Sequence, residues 1–111
     1  MIVNGDITVY HSTYDEEARC TKWHNKYYKN VWYYVRKGAV LDGNNSNDIQ
    51  VRIWYNLNDN LNITDFAIGD KIVVGNNLAD INDIPNEIQF TITSITDNQF
   101  GLNTHIHLSG V

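Results

Sequence analysis

Apolar residues recur at every second position in four separate stretches of this chain, a period that fits strands and not helices. Ile7 and Val9 alternate with Thr8 and Tyr10. Val31, Tyr33 and Val35 share one face of their stretch, and Trp32, Tyr34 and Arg36 share the other. Ile49, Val51, Ile53 and Tyr55 alternate with Gln50, Arg52 and Trp54; Ile88, Phe90 and Ile92 alternate with Gln89, Thr91 and Thr93. Successive side chains of a strand point to opposite faces, so each run offers one apolar face to a core. Their β-branched and aromatic content supports the same reading.

Turn chemistry separates the runs. Residues 42–48 and 56–62 are rich in Asn and Asp, Gly69-Asp70 introduces the apolar run 72–74, and Asp97-Asn98-Gln99-Phe100-Gly101 suits a hairpin turn. Asn, Asp and Gly tolerate the left-handed conformations that such turns need. The pattern predicts about seven strands, near 6–12, 19–28, 30–37, 48–55, 71–75, 87–96 and 102–108. Residues 19–29 fit a helical face through Cys20, Trp23 and Tyr27, but they also alternate, and the strand is the preferred assignment. One helical turn is expected at 64–67, with Thr64 as its N-cap. No interdomain linker or βαβ alternation is present. The expected fold is one all-β domain over 1–111, a small barrel or sandwich of antiparallel strands with long polar loops and little helix.

The chain has 111 residues and a formal net charge of −5. That balance argues against gripping nucleic acid through phosphates, which needs clustered Lys and Arg. The basic residues are uneven: Arg19, Lys22, Lys26, Lys29, Arg36 and Lys37 share one stretch, a polarity that can orient a subunit in an assembly. Cys20 is the single cysteine, so no intrachain disulfide forms and the thiol is expected to be inert. The first residues lack a basic region followed by an apolar run, so no secretory signal is expected. No apolar stretch is long enough to span a bilayer.

Few residues suggest chemistry. His105 and His107 are two apart and share a strand face, the arrangement that lets two imidazoles reach one ion. Further ligands would have to come from elsewhere, with His11 and His24 the other imidazoles, so no metal site and no cofactor is expected. Asp15-Glu16-Glu17 reads as a solvated acidic loop. Asp80 and Asp83 among Asn76, Asn77 and Asn82 lack the alternation and closing Glu of a calcium loop. No phosphate loop, zinc-ribbon cysteines or nucleophile elbow appears, and no catalytic activity is expected.

The aromatic residues say more. Trp23, Tyr27, Trp32, Tyr34 and Trp54, together with Arg36, form the expected contact surface. Trp32, Tyr34 and Trp54 fall opposite the face assigned to the core, and exposed Tyr and Trp supply much of the anchoring energy at interfaces. Stacking on single-stranded nucleic acid is the competing use of such a platform, and the acidic total disfavours it.

Several motifs occur in a familiar order. Gly5-Asp6-Ile7-Thr8-Val9-Tyr10 runs into Tyr14-Asp15-Glu16-Glu17-Ala18-Arg19, followed by Ile49-Gln50-Val51-Arg52-Ile53 and Phe66-Ala67-Ile68-Gly69-Asp70-Lys71-Ile72-Val73-Val74-Gly75. The chain closes with Thr93-Ser94-Ile95-Thr96-Asp97-Asn98-Gln99-Phe100-Gly101 and His105-Ile106-His107-Leu108. This order resembles a family of small minor capsid, or head–tail joining, proteins of phages and prophages of Gram-positive bacteria. In length and layout the chain is also similar to the head-closure (stopper) proteins of long-tailed phages. It looks shorter in the middle than typical members of the first family.

The resemblance implies a structural component of the virion neck, made in the bacterial cytoplasm. Copies would form a ring around an axial channel, with portal or adaptor protein on the head side and tail-completion or tail-terminator protein on the tail side. The loops at 42–48 or 56–63 would face the channel, and DNA would pass without sequence-specific binding. The alternatives are a tail-completion or other minor capsid protein and, in a different class, a metal- or ligand-binding bacterial β-module. On the neck reading, Trp32→Ala or Trp54→Ala is expected to block head–tail joining while the monomer stays folded; normal phage yield from both would sink the assignment.

Overall fold

Six strands account for nearly all the regular structure of the computed structural model, which describes residues 2–37 and 47–111. They are β1 (Gly5–Asp15), β2 (Cys20–Lys37), β3 (Asn47–Trp54), β4 (Lys71–Val74), β5 (Phe90–Asn98) and β6 (His105–Gly110). They close into an antiparallel barrel in the order β1-β2-β3-β6-β5-β4, with β4 returning to β1 from Ile7↔Val74 to Tyr10↔Lys71. The all-β expectation holds as a barrel, and closure removes most free sheet edges.

Six strands replace the expected seven because 19–28 and 30–37 are one continuous strand, the 18-residue β2. β2 serves two neighbours in turn: residues 20–28 pair with β1, and residues 32–37 pair with β3. Between them the register slips. Ile7 faces Tyr28 and Gly5 faces Val31, so β2 advances one residue more than β1. Asn30 adopts φ +56 there. A bulge of this kind bends its strand and increases the local twist, and Asn is one of the few L-residues that enters the left-handed region readily. The slip also inverts the side-chain alternation: Tyr28 and Val31 are both buried in the barrel. Beyond the bulge, Asn4 extends the ladder with its side chain. Its Nδ2 donates to the Tyr33 carbonyl at 2.9 Å, and its Oδ1 accepts from the Tyr33 N–H at 2.9 Å.

Inward residues of the alternating runs fill the barrel, with Ile7, Val31, Val51, Ile53, Ile92 and Ile106 all fully buried. Phe66 joins them from the β3–β4 connection, its ring 5.4 Å from that of Tyr28. The short 3-10 turn before it, Ile63–Asp65, is capped by Asn62 and not by Thr64. Asn62 is extended, and its Oδ1 accepts from the Thr64 N–H and hydroxyl, which places Thr64 inside the turn.

A second, smaller core lies outside the wall. Tyr10, Val73, Ile81 and Ile84 cluster there, with Trp23 packed against them. Residues 75–89 cross the outer surface of β1 and β4, held by bonds from Thr8 Oγ1 to the Gly75 carbonyl (2.7 Å) and from the Tyr10 hydroxyl to the Ala79 carbonyl (2.7 Å). Two 3-10 turns, Ile81–Asp83 and Asn86–Ile88, occupy this segment. Ile88, expected beside Phe90 on a strand face, therefore sits in a turn and is exposed. Of the polar stretch 42–48, residues 42–46 lie outside the described residues, and Asn47 and Asp48 open β3.

Beyond Tyr10↔Lys71, β1 has β2 as its partner and no other strand among the described residues, so residues 11–15 and 20–24 project as a two-stranded arm. The radius of gyration, 14.7 Å, exceeds the ~13 Å of a compact domain of this length, as a projecting arm requires. The bulge can be probed by urea unfolding. Asn30→Val should lower stability by about 1–2 kcal/mol, the cost of a left-handed β-branched residue, while Asn30→Gly should unfold close to wild type. Equal midpoints for all three would show that the bulge is not held at Asn30.

Candidate functional site

The second half of β2 and strands β3, β6 and β5 present one continuous outer face. Strand pairing sets it out in rows: Trp32, Arg52, His107 and Thr96 lie side by side, and Tyr34, Gln50, Ser109 and Ser94 form the next row. Trp54 pairs with His105 at the end of the face. Directly opposed side chains on neighbouring strands are close enough to interact, and these do. The Arg52 guanidinium lies 4.9 Å from the centroid of the Trp32 ring, a cation–π stack. The Trp54 and His105 rings are 6.0 Å apart.

Ile2, Trp32, Arg52, Trp54, Asn103 and His105 line a shallow open cleft of about 380 Å³ at this end. Its walls are aromatic, and Arg52 forms no ion pair among the described residues. Such a lining suits a partner group that is part apolar and part anionic.

The two histidines face different partners. His105 Nδ1 donates to the Asn103 carbonyl at 3.0 Å. His107 Nε2 donates to Gln50 Oε1 at 2.6 Å, and the Ser109 hydroxyl donates to the same oxygen at 2.9 Å. His11 and His24, the other imidazoles, sit across from each other on the arm. His11 Nδ1 is 2.8 Å from the buried Asp70 carboxylate, and His24 Nε2 is 3.1 Å from the Thr13 hydroxyl. Among the described residues, no three His, Cys, Asp or Glu side chains group as metal ligands. The His11–Asp70 pair had no signal in the sequence, because strand pairing brings together residues 59 positions apart.

The expected contact residues divide in two. Trp32, Tyr34, Arg36 and Trp54 share the face just described. Trp23 and Tyr27 lie on the other side of the bulge, still facing outward, because the slip at Asn30 reverses the alternation. Trp23 is half-covered by the outer core, and the Tyr27 hydroxyl donates to Asp6. Arg36 is paired with Asp48 at 2.7 Å. Lys22 and Lys26 are likewise paired, with Asp15 and Asp65, so local partners absorb much of the basic stretch. Trp54 differs most from expectation: it points away from the barrel interior yet is only 5% exposed. Trp54→Ala should therefore cost about 3–5 kcal/mol of stability, so Trp32 is the cleaner probe of contact.

Together these features define a small closed β-barrel with an outward aromatic–cationic face and a projecting hairpin arm. The chain belongs to DUF6751, a family of unknown function whose profile matches residues 2–111. No curated protein and no solved structure matches it significantly.

His107 gives the face a pH dependence. Burial, followed by the nearby charges of Arg52 and His105, holds its imidazole below the ordinary histidine range. The unfolded chain then takes up this proton at higher pH than the folded one, so the unfolded state binds more protons as pH drops through about 6.5. Stability tied to His107 is complete above that value and declines below it. His107→Thr should lose less of its urea midpoint than wild type between about pH 7.5 and about pH 5.5; identical losses would rule out His107 as the source.

Proposed function

We propose that this chain is a structural subunit of a tailed-phage virion neck, acting as a head-closure (stopper) or head–tail connector ring subunit. The observation that carries this reading is the outer face where Trp32, only partly covered, and exposed Tyr34 stand beside Arg52. The barrel interior is filled mainly by aliphatic side chains and the rings of Tyr28, Phe66 and Phe90. An architecture with a packed interior and large aromatics outside suits contact with other proteins better than turnover of a small molecule. The motif order described above supplies the neck as the place of contact.

On this reading the barrel is non-enzymatic and its work is mechanical. Copies meet around a channel, with portal or adaptor protein above and tail-completion or terminator protein below. The net charge of −5 favours passage of DNA over retention, since like charges repel. A tail-completion role is the alternative within the same class. His105 and His107 turn to different partners, so the metal-binding module gains no support from their geometry.

Deletion of the gene from a phage that encodes this chain should leave full heads and free tails unjoined in electron micrographs. Wild-type chain supplied in trans should restore joined particles; Trp32→Ala, purified folded, should not. Joined, infectious particles without the chain would overturn the neck reading, and defective tails on intact necks would favour tail completion.

A further inference from the structure

The hairpin arm and the aromatic cleft lie at opposite ends of the same two-stranded ribbon. Ile2, which lines the cleft, precedes β1. The arm tip, where Asp15 pairs with Cys20, ends it. At roughly 3.3 Å per residue, an 11-residue β1 separates the two by about 35 Å. Both strands are pinned along the barrel, so a chain's arm cannot fold back into its own cleft.

The chemistry of the two ends is complementary. Asp15 Oδ1 accepts the N–H groups of Glu17 (3.0 Å) and Ala18 (3.2 Å), and its other oxygen pairs with Lys22 Nζ at 2.8 Å. That bonding consumes Asp15 and presents Glu16 and Glu17 to solvent. Tyr14 beside them is 65% exposed. In the cleft, Trp32 and Trp54 supply aromatic walls and Arg52 supplies a charge with no carboxylate partner among the described residues.

We propose that the arm tip of one copy docks in the cleft of the next, with Tyr14 against the Trp32 indole and the Glu16–Glu17 pair facing Arg52. This rests on reading the chain as a self-assembling subunit, and it names the contact. A second copy is the occupant because one chain carries both halves, each out of its own reach. Two different surfaces meeting head to tail make a heterologous contact, which closes into a ring or runs on as a filament according to the rotation between copies. A two-stranded ribbon is marginal alone in water, so the arm gains a partner where it most lacks one.

The arm carries its own reporter. Cys20 is exposed, directly across from Asp15, and Asn103 lines the cleft. Concentrated full-length Asn103→Cys, oxidised with copper–phenanthroline, should give a ladder of disulfide-linked multimers. Wild type, and Asn103→Cys combined with Cys20→Ser, should stop at dimers. Arg52→Glu added to Asn103→Cys should reduce the ladder to the level given by Asp83→Cys, and Glu16→Lys with Glu17→Lys should restore it. Asp83→Cys, an exposed position away from the cleft lining, is the control: a ladder no stronger from Asn103→Cys than from Asp83→Cys overturns the contact. Sedimentation of wild type separates the two possible failures. Multimers without the specific bridge overturn this contact and leave self-assembly standing on another surface; a chain monomeric at every concentration overturns both the contact and self-assembly of the isolated chain.

Discussion

The barrel closes because one strand changes neighbours halfway along. β2 belongs to the wall made with β1 and, past Asn30, to the wall made with β3. Closing a sheet of few strands demands strong tilt and curvature, and a bulge supplies both locally. The opposite seam is thin by comparison. β4 has four residues, and its pairing with β5 covers two positions. Bonds from the Gly69 N–H to the Ile92 carbonyl (2.9 Å) and from the Ile92 N–H to the Asp70 carbonyl (2.8 Å) lengthen that seam. Asp70 anchors it. Its carboxylate is buried, a costly state unless hydrogen-bonded, and it is satisfied by His11 Nδ1 (2.8 Å) and the Ala67 N–H (2.9 Å). The root of the arm and the turn that closes the barrel therefore share one buried group.

Alternation made the barrel legible where a strand has one wet face. Val51, Ile53, Ile92 and Ile106 fall inside as the period requires. It could not show the bulge, because one Asn in a polar step reads as a turn, and the long β2 was divided at that point. Nor could it show the outer core. Thr8 and Tyr10 read as the solvent face of β1, but both are buried beneath residues 75–89. Ile81 and Ile84 in that cover lie in irregular backbone, which has no period to detect. The outward set Trp32, Tyr34 and Trp54 was legible from β2 and β3. The burial of Trp54 was not, since it depends on the pairing of β3 with β6.

Charge followed a similar course. The stretch from Arg19 to Lys37 reads as a basic band, yet the acids that neutralise Lys22, Lys26 and Arg36 come from the end of β1, the β3–β4 connection and β3. Tertiary pairing of this sort is invisible along the chain. Exposed pairs contribute little stability; their effect is to remove cations from the surface, which leaves Arg52 as the charge standing over the aromatic cleft.

The placement of the tryptophans follows from the same geometry. A six-stranded barrel has a narrow interior, and close packing fills it best with Ile, Val and Leu. Indoles go outside, where something must cover them. Residues 75–89 and Tyr10 partly cover Trp23. Trp54 is sealed nearly completely, with His105 alongside it. Trp32 is only partly buried, with the Arg52 guanidinium over one face of its ring. The cover at Trp32 is incomplete, and a guanidinium already stacked on an indole costs less to immobilise against a partner than a free side chain does. An incoming surface that completes the cover of Trp32 meets the charge of Arg52 in the same place.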